Sequence, residues 1–309
     1  MNTPLVSICC VTYNHALFIR KCLDGFLMQE TDFPVEILIH DDCSTDGTTE
    51  IIREYEAKYP DLIFPLYEEE NQYQQGKAAE IDLYNYRRAR GKYIAYCEGD
   101  DYWTDPLKLQ KQVDFMEANP EYSVCFHNFY VIDNHTNTRK CPINLHDNSN
   151  IDGIDITSDM YMKNSFYGQP LTMIFRVSMC DFQWYKKYRY YRDTHEIYHL
   201  LNEGKGRFLN FMGGIYSLHD GGIASSLSIH KTAKCTMEIC KELYVNNSRD
   251  RVIQNFLYSV LLWNYDVLQN EFLVIWIKAF LISPVITTQV LFTIIKRKIK
   301  NQIITIFRK

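Results

Sequence analysis

No C-x-x-C pair occurs among the ten cysteines, and no Cys/His spacing matches a zinc site. Several thiols (Cys9, Cys10, Cys97, Cys125) sit inside apolar runs, where free Cys behaves as a small hydrophobe, so a reducing compartment is expected. Neither G-x-G-x-x-G nor G-x-x-x-x-G-K-[ST] is present, which counts against dinucleotide-binding dehydrogenases and P-loop enzymes. The opening Met-Asn-Thr-Pro-Leu-Val-Ser has neither the cationic nor the apolar region of a signal peptide, so secretion is not expected. No internal repeat is visible. Acidic residues also run out. None follows Glu271, whereas Lys278, Lys296, Arg297, Lys298, Lys300, Arg308 and Lys309 do. On a body of net charge -5, such a basic end points to anionic lipid. Nucleic acid is not expected as a partner, because it calls for a basic patch on the folded domain.

What is present alternates. Apolar, β-branched runs at 5–12, 35–40, 62–67 and 93–97 read as strands. Helical spacing over 15–28, 48–58 and 78–90 separates them, the second helix following the turn and cap Ser44-Thr45-Asp46-Gly47. Alternation with short links predicts an α/β fold with a mostly parallel sheet and right-handed crossovers. Further on, the pattern gives a helix over 106–118, a strand over 122–132 and a long polar loop over 133–152. A strand over 171–175, a helix over 194–201 and a strand-like run over 209–218 follow, and from 229 the chain turns helical.

Ligands of such sheets sit at the carboxyl ends of the strands. Thr12-Tyr13-Asn14, Asp41-Asp42 and Glu98-Gly99-Asp100 all fall there. Leaving an ionised carboxylate buried and unpaired costs several kcal/mol, so Glu98, Asp100 and Asp101 together need a cation, donors or water. On an extended chain Glu98 and Asp100 would point the same way, with Gly99 allowing close approach. Hard oxygen ligands suit Mg²⁺ or Mn²⁺ carrying a phosphate ester. The competing reading is an acidic surface turn that caps the next helix.

Taken together, these motifs resemble the family 2 glycosyltransferases, which have the GT-A fold. The matching residues are Val6-Ser7-Ile8 leading to Thr12-Tyr13-Asn14, then Asp41-Asp42-x-Ser44-x-Asp46-Gly47-Thr48, Gly91-Lys92-Tyr93-Ile94 and Glu98-Gly99-Asp100-Asp101. Tyr102-Trp103-x-Asp105-Pro106-x-Lys108-Leu109-x-x-Gln112 is similar to a bacterial surface-polysaccharide branch. The resemblance implies a nucleotide-sugar half over 1–105 and an acceptor half over 106–228, with a helical region over 229–309. It implies Asp42 on uracil, Tyr13 and Thr12 beside the base, and Glu98, Gly99 and Asp100 in the place of a D-x-D motif. Asp100 would ligate Mn²⁺ or Mg²⁺, with Glu98 on the ribose or a metal-bound water. Glu98 in the first position departs from a strict D-x-D.

Asp193, before an apolar helix, matches the catalytic base, although Arg192 replaces the usual preceding residue; as an alternative Asp193 merely caps that helix. His219, in Ser217-Leu218-His219-Asp220-Gly221-Gly222-Ile223-x-Ser225, matches a segment that could reach the metal or diphosphate. Lys77 could touch the diphosphate. His195 and His199, four apart on a helix, read as solvated rather than as a metal pair.

Phe272 to Ile295 is nominally long enough to cross a bilayer, but Lys278 and Ser283-Pro284 interrupt it. An amphipathic, cationic anchor over 272–309 on the cytoplasmic membrane face fits better than a span. The expectation is a metal-dependent, inverting hexosyl- or N-acetylhexosaminyl-transferase, using a UDP-sugar and a lipid-linked saccharide acceptor in surface polysaccharide synthesis. The rivals are a nucleotidyltransferase and a non-catalytic nucleotide-sugar-binding or assembly protein.

Overall fold

In a computed structural model of the chain, which describes residues 3–143, 152–222, 227–268 and 272–307, the four apolar runs form β1 (Val6–Thr12), β2 (Val35–Asp41), β3 (Ile63–Tyr67) and β4 (Tyr93–Glu98). Between them lie α1 (Ile19–Leu27), α2 (Thr48–Lys58) and α3 (Ala78–Arg88). The strands lie in the order β3-β2-β1-β4, each neighbouring pair parallel. Alternation into βαβ units leaves this arrangement little choice, since a parallel neighbour needs a crossover.

Beyond β4 the sheet becomes mixed. The remaining elements are β5 (Tyr102–Trp103), α4 (Lys108–Ala118), β6 (Tyr122–Asp133), β7 (Thr138–Lys140), β8 (Gly153–Ile156), α5 (Ser158–Lys163), β9 (Ile174–Arg176), α6 (Asp193–Glu203) and β10 (Lys205–Leu218). The order runs on as β4-β9-β6-β10-β5. The short β9 is antiparallel to both β4 and β6, while β6 and β10 are parallel. Buried Arg176 pins β9 by donating to the Tyr93 hydroxyl at 2.9 Å and to the Met116 and Tyr122 carbonyls at 2.7 and 3.3 Å. A buried guanidinium is tolerated because these acceptors satisfy it.

Some expectations need correction. The first helix begins at Ile19, not residue 15, because residues 15–18 form a turn in which the amides of Phe18 and Ile19 both donate to the His15 carbonyl at 2.8 Å. The stretch expected as one loop over 133–152 contains β7, and its residues 144–151 lie outside the described ones. The strand expected at 171–175 is shorter, with a 3₁₀ turn at Pro170–Thr172 before it.

The chain divides into two compact units, one of residues 1–187 with 191–225 and one of 188–190 with 226–309. The first holds the sheet. The second holds α7 (Ile229–Asn246), α8 (Arg251–Leu268), α9 (Phe272–Ile282) and α10 (Pro284–Phe307). Its core joins Met237, Cys240, Leu257, Leu261, Ala279 and Val290. Among the described residues no helix is long and apolar enough to cross a membrane. The apolar run from 272 is divided at Ser283, where Pro284 opens a new helix.

Candidate active site

The ends of β1, β2 and β4 meet at one edge of the first unit. Three loops are bound together there by side chains of the motifs. Asp46 accepts from the Ala16 amide at 3.0 Å and from the Thr48 amide at the start of α2 at 3.1 Å. Ser44 Oγ accepts from the Asn14 amide at 2.9 Å, and Asn14 Oδ1 takes the Thr45 amide at 2.8 Å. Asn14 (φ 55°) and Cys43 (φ 65°) hold left-handed backbone where these loops cross. The N-cap of α2 is Gly47, preceded by Asp46, and Asp42 makes no bond to that helix end among the described residues.

Asp42 is 2% exposed. Its two carboxylate oxygens accept from the amides of Gln72 at 2.6 Å and Tyr73 at 3.1 Å, and His40 Nε2 lies 3.9 Å away. Burial pushes this carboxyl up, but His40 and the two amides outweigh it and hold it below the usual range. Each oxygen keeps a second lone pair for a ligand donor. Lys77 donates to Gln72 Oε1 at 2.9 Å, so it braces the loop that holds Asp42. Tyr13 is exposed beside these loops.

Glu98 ends β4, and the chain then turns instead of extending: the Asp101 amide donates to the Glu98 carbonyl at 3.1 Å. The expected same-side projection of Glu98 and Asp100 from an extended strand is thus replaced by a turn. The turn still gathers Glu98, Asp100 and Asp101, with one carboxylate oxygen of each within 4.8 Å of the others. Asp101 is buried and accepts from the Ser217 amide at 2.9 Å, fastening the turn to β10. Gly99 is required by space. A Cβ there would fall 2.5 Å from Thr12 Oγ1, and its amide bonds the Val11 carbonyl at 2.9 Å.

Asp100 faces two imidazoles. His219 Nε2 is 3.0 Å from Asp100 Oδ2, and His15 Nε2 is 3.8 Å from the same oxygen. Asp100 Oδ1 is buried without a hydrogen-bond partner among the described residues. Burial would raise the Asp100 carboxyl, yet His219 and His15 hold it below its usual range. Burial, and then the charge of Asp100, raise both Glu98 and Asp101 well above theirs. This surplus of carboxylate with an orphaned oxygen fits a divalent cation. His15 was not singled out from the sequence; the available signal was a second metal-ligating side chain beside Thr12-Tyr13-Asn14.

Asp193 is the first residue of α6, with Arg192 before it at the cap, and accepts from the Thr194 amide at 2.8 Å. Burial raises its carboxyl, and its charge in turn helps to raise Glu98. Arg192 reaches back to the Tyr73 hydroxyl at 3.2 Å. His195 is buried, not solvated: its Nδ1 accepts from the Arg192 amide at 3.1 Å, while His199 stacks on Trp184. Of the segment around His219, residues 223–226 lie outside the described ones.

The model of glycosyl transferase family 2 matches residues 7–192. An uncharacterized protein of Mycobacterium tuberculosis is 49% identical over 127 residues, 41% of this chain and 36% of that protein. TuaG of Bacillus subtilis, named provisionally as a teichuronic acid biosynthesis glycosyltransferase, is 39% identical over 113 residues, 37% of this chain and 42% of its own length. The chain thus matches less than half the length of these curated relatives. Among solved structures, S. aureus TarS in complex with UDP-GlcNAc is similar at a TM-score of 0.58 and 17% identity, covering 85% of this chain and 73% of that one. The mannosyltransferase PcManGT from Pyrobaculum calidifontis, in complex with GDP-Man and Mn²⁺, gives 0.56 and 17%, covering 94% and 79%. These likenesses show a shared GT-A fold. With the family model covering more than half of its length, this chain belongs to the family 2 glycosyltransferases.

Proposed function

We propose that the chain is an inverting, metal-dependent transferase that moves a hexosyl or N-acetylhexosaminyl group from a UDP-sugar to a hydroxyl of a saccharide acceptor. The observation that carries this reading is that Asp42, Glu98, Asp100, His219 and Asp193 share one compact unit, with Asp42 after β2 and Glu98 and Asp100 at the end of β4, on either side of β1. Asp42 accepts the N3–H of uracil with its remaining lone pairs, Thr12 and Tyr13 flank the base, and Glu98 holds the ribose. Lys77 contacts the diphosphate only by leaving Gln72 Oε1, to which it donates here. Asp100 and His219, with Glu98 beside them, hold Mn²⁺ or Mg²⁺, which when bound supplies positive charge against the charge growing on the leaving diphosphate. Asp193 takes the acceptor hydroxyl proton. Its carboxyl is raised by burial, which brings it closer to the strength a general base needs. The attack comes from the side opposite the diphosphate, so an α-linked donor gives a β-linked product.

The names of TuaG and TarS's ligand support a UDP-sugar and a surface polysaccharide. The lipid-linked acceptor and a peripheral site on the cytoplasmic membrane face rest on the second unit. There Leu273, Leu281, Val285 and Phe292 are exposed on α9 and α10, next to Lys278, Lys296, Arg297, Lys298 and Lys300.

Asp193→Asn tests the mechanism on a panel of UDP-sugars. Transfer should fall by about 100- to 10,000-fold while UDP binding persists. Retained transfer would remove Asp193 from the mechanism. A wild-type protein that binds UDP and transfers nothing would favour a non-catalytic nucleotide-sugar-binding role.

A further inference from the structure

We propose that His15 is a third ligand of the divalent cation, joining Asp100 and His219 to make a two-imidazole, one-carboxylate site. The inference rests on the metal-dependent reading above and deepens it, because neither the family resemblance nor the D-x-D position assigns His15 a role.

The geometry carries it. One ligand atom from each of His15, Asp100 and His219 lies within 4.8 Å of the other two. Asp100 Oδ2 is 3.0 Å from His219 Nε2 and 3.8 Å from His15 Nε2. Two atoms bound to one first-row divalent ion, each about 2.1 Å from it, stand about 3–4 Å apart. The His15 distance is too long for a hydrogen bond and suits a bridging cation.

The surroundings orient the ring as ligand shells do. His15 Nδ1 meets Thr12 Oγ1 at 3.1 Å, on a threonine that is 1% exposed. With Nδ1–H donating to that hydroxyl, Nε2 turns its lone pair toward Asp100, the arrangement by which a second-shell acceptor fixes a ligating imidazole. His15 packs against the D-x-D turn itself: a Cβ on Gly99 would lie 3.1 Å from His15 Nδ1. The His219 ring is held by Phe18, whose centroid is 4.3 Å away. Asp100 Oδ1, buried and without a hydrogen-bond partner among the described residues, supplies a further donor atom.

The donor set has a consequence for the ion. Imidazole suits first-row transition metals, whereas Mg²⁺ favours oxygen and water. A site with two histidines therefore prefers Mn²⁺, Co²⁺ or Zn²⁺ to Mg²⁺.

The test is electron paramagnetic resonance of Mn²⁺ on the full-length protein, with UDP present and again with GDP. Loss of the free-ion signal gives the affinity, and ¹⁴N echo modulation counts the coordinated imidazoles. Wild type should show two nitrogens. His15→Ala should show one, with Mn²⁺ bound about 10- to 100-fold more weakly, and His15→Ala with His219→Ala should show none. Two nitrogens in His15→Ala, or one in wild type, overturn the inference and leave the metal-dependent reading standing. Wild type that binds no Mn²⁺ with either nucleotide overturns both. If His15→Ala does not fold by circular dichroism, the wild-type nitrogen count alone decides.

Discussion

A single added methyl group at residue 99 probes the packing on which the site depends. The Cβ of Gly99→Ala would lie 2.5 Å from Thr12 Oγ1, 2.7 Å from Thr12 Cβ and 3.1 Å from His15 Nδ1. Comfortable carbon contacts begin near 3.5 Å, so the methyl overlaps Thr12 by roughly 1 Å. Thr12 has nowhere to go. It is 1% exposed, its side chain is stiff at χ1, and it ends a strand paired on both sides. Relief must come from lifting the turn at 98–101 off β1, which strains the 2.9 Å bond from the Gly99 amide to the Val11 carbonyl. Overpacking of this kind costs about 1–3 kcal/mol. For a chain of this size that lowers Tm by about 2–5 °C. The same movement carries Asp100 away from His219 and His15, so Mn²⁺-dependent UDP binding should weaken by about tenfold or more. Thermal denaturation followed by circular dichroism reads the first effect and titration calorimetry the second. A variant with wild-type Tm and wild-type UDP affinity would refute the close approach and the role built on it.

Two further outcomes follow from other parts of the molecule. Burial pushes the Asp82 carboxyl up to about 6, with the Tyr96 hydroxyl and His40 opposing and the charge of Asp193 adding. Its folded value lies above the unfolded value of 3.8, so the stability tied to its proton is full below about 4 and lost as pH rises through about 6. Asp82→Asn should flatten that part of the stability profile in urea melts between pH 4 and 6.5; an unchanged slope contradicts the assignment. For the second unit, the full-length chain should sediment with anionic phosphatidylglycerol vesicles and far less with phosphatidylcholine ones. Replacing Lys296, Arg297, Lys298 and Lys300 by Glu should reduce that binding by about 100-fold or more, since each basic residue near such a surface contributes about 1 kcal/mol. Equal binding to both vesicle types would refute the electrostatic part of the anchor.

The nucleotide half was legible in the sequence because its strands are buried on both faces and its helices amphipathic, so periodicity alone separates Val6–Thr12 from Ile19–Leu27. The other half was less so. Elements as short as Tyr102–Trp103 and Thr138–Lys140 have no period of their own and exist because a partner strand lies beside them. At the proposed site, Asp42, Glu98 and Asp100 stand out in the sequence because they follow apolar runs. His15 does not stand out because helical spacing draws it into α1, whereas a turn sets its ring against Thr12 and Asp100. Asp46 serves the turn expected at residues 44–47, whereas Asp101 reads as a site acid but gives one oxygen to the Ser217 amide. Which carboxylates face amides and which face a ligand depends on tertiary packing, and spacing cannot separate them.

The central claim is that the ends of β1, β2 and β4 hold a nucleoside diphosphate together with a divalent ion. It is tested most directly by titration calorimetry of the full-length chain with UDP, with and without Mn²⁺, beside GDP. The account predicts UDP binding that depends on Mn²⁺, exceeds GDP binding and disappears in Asp100→Ala. Binding of neither nucleotide, with or without the metal, would contradict it.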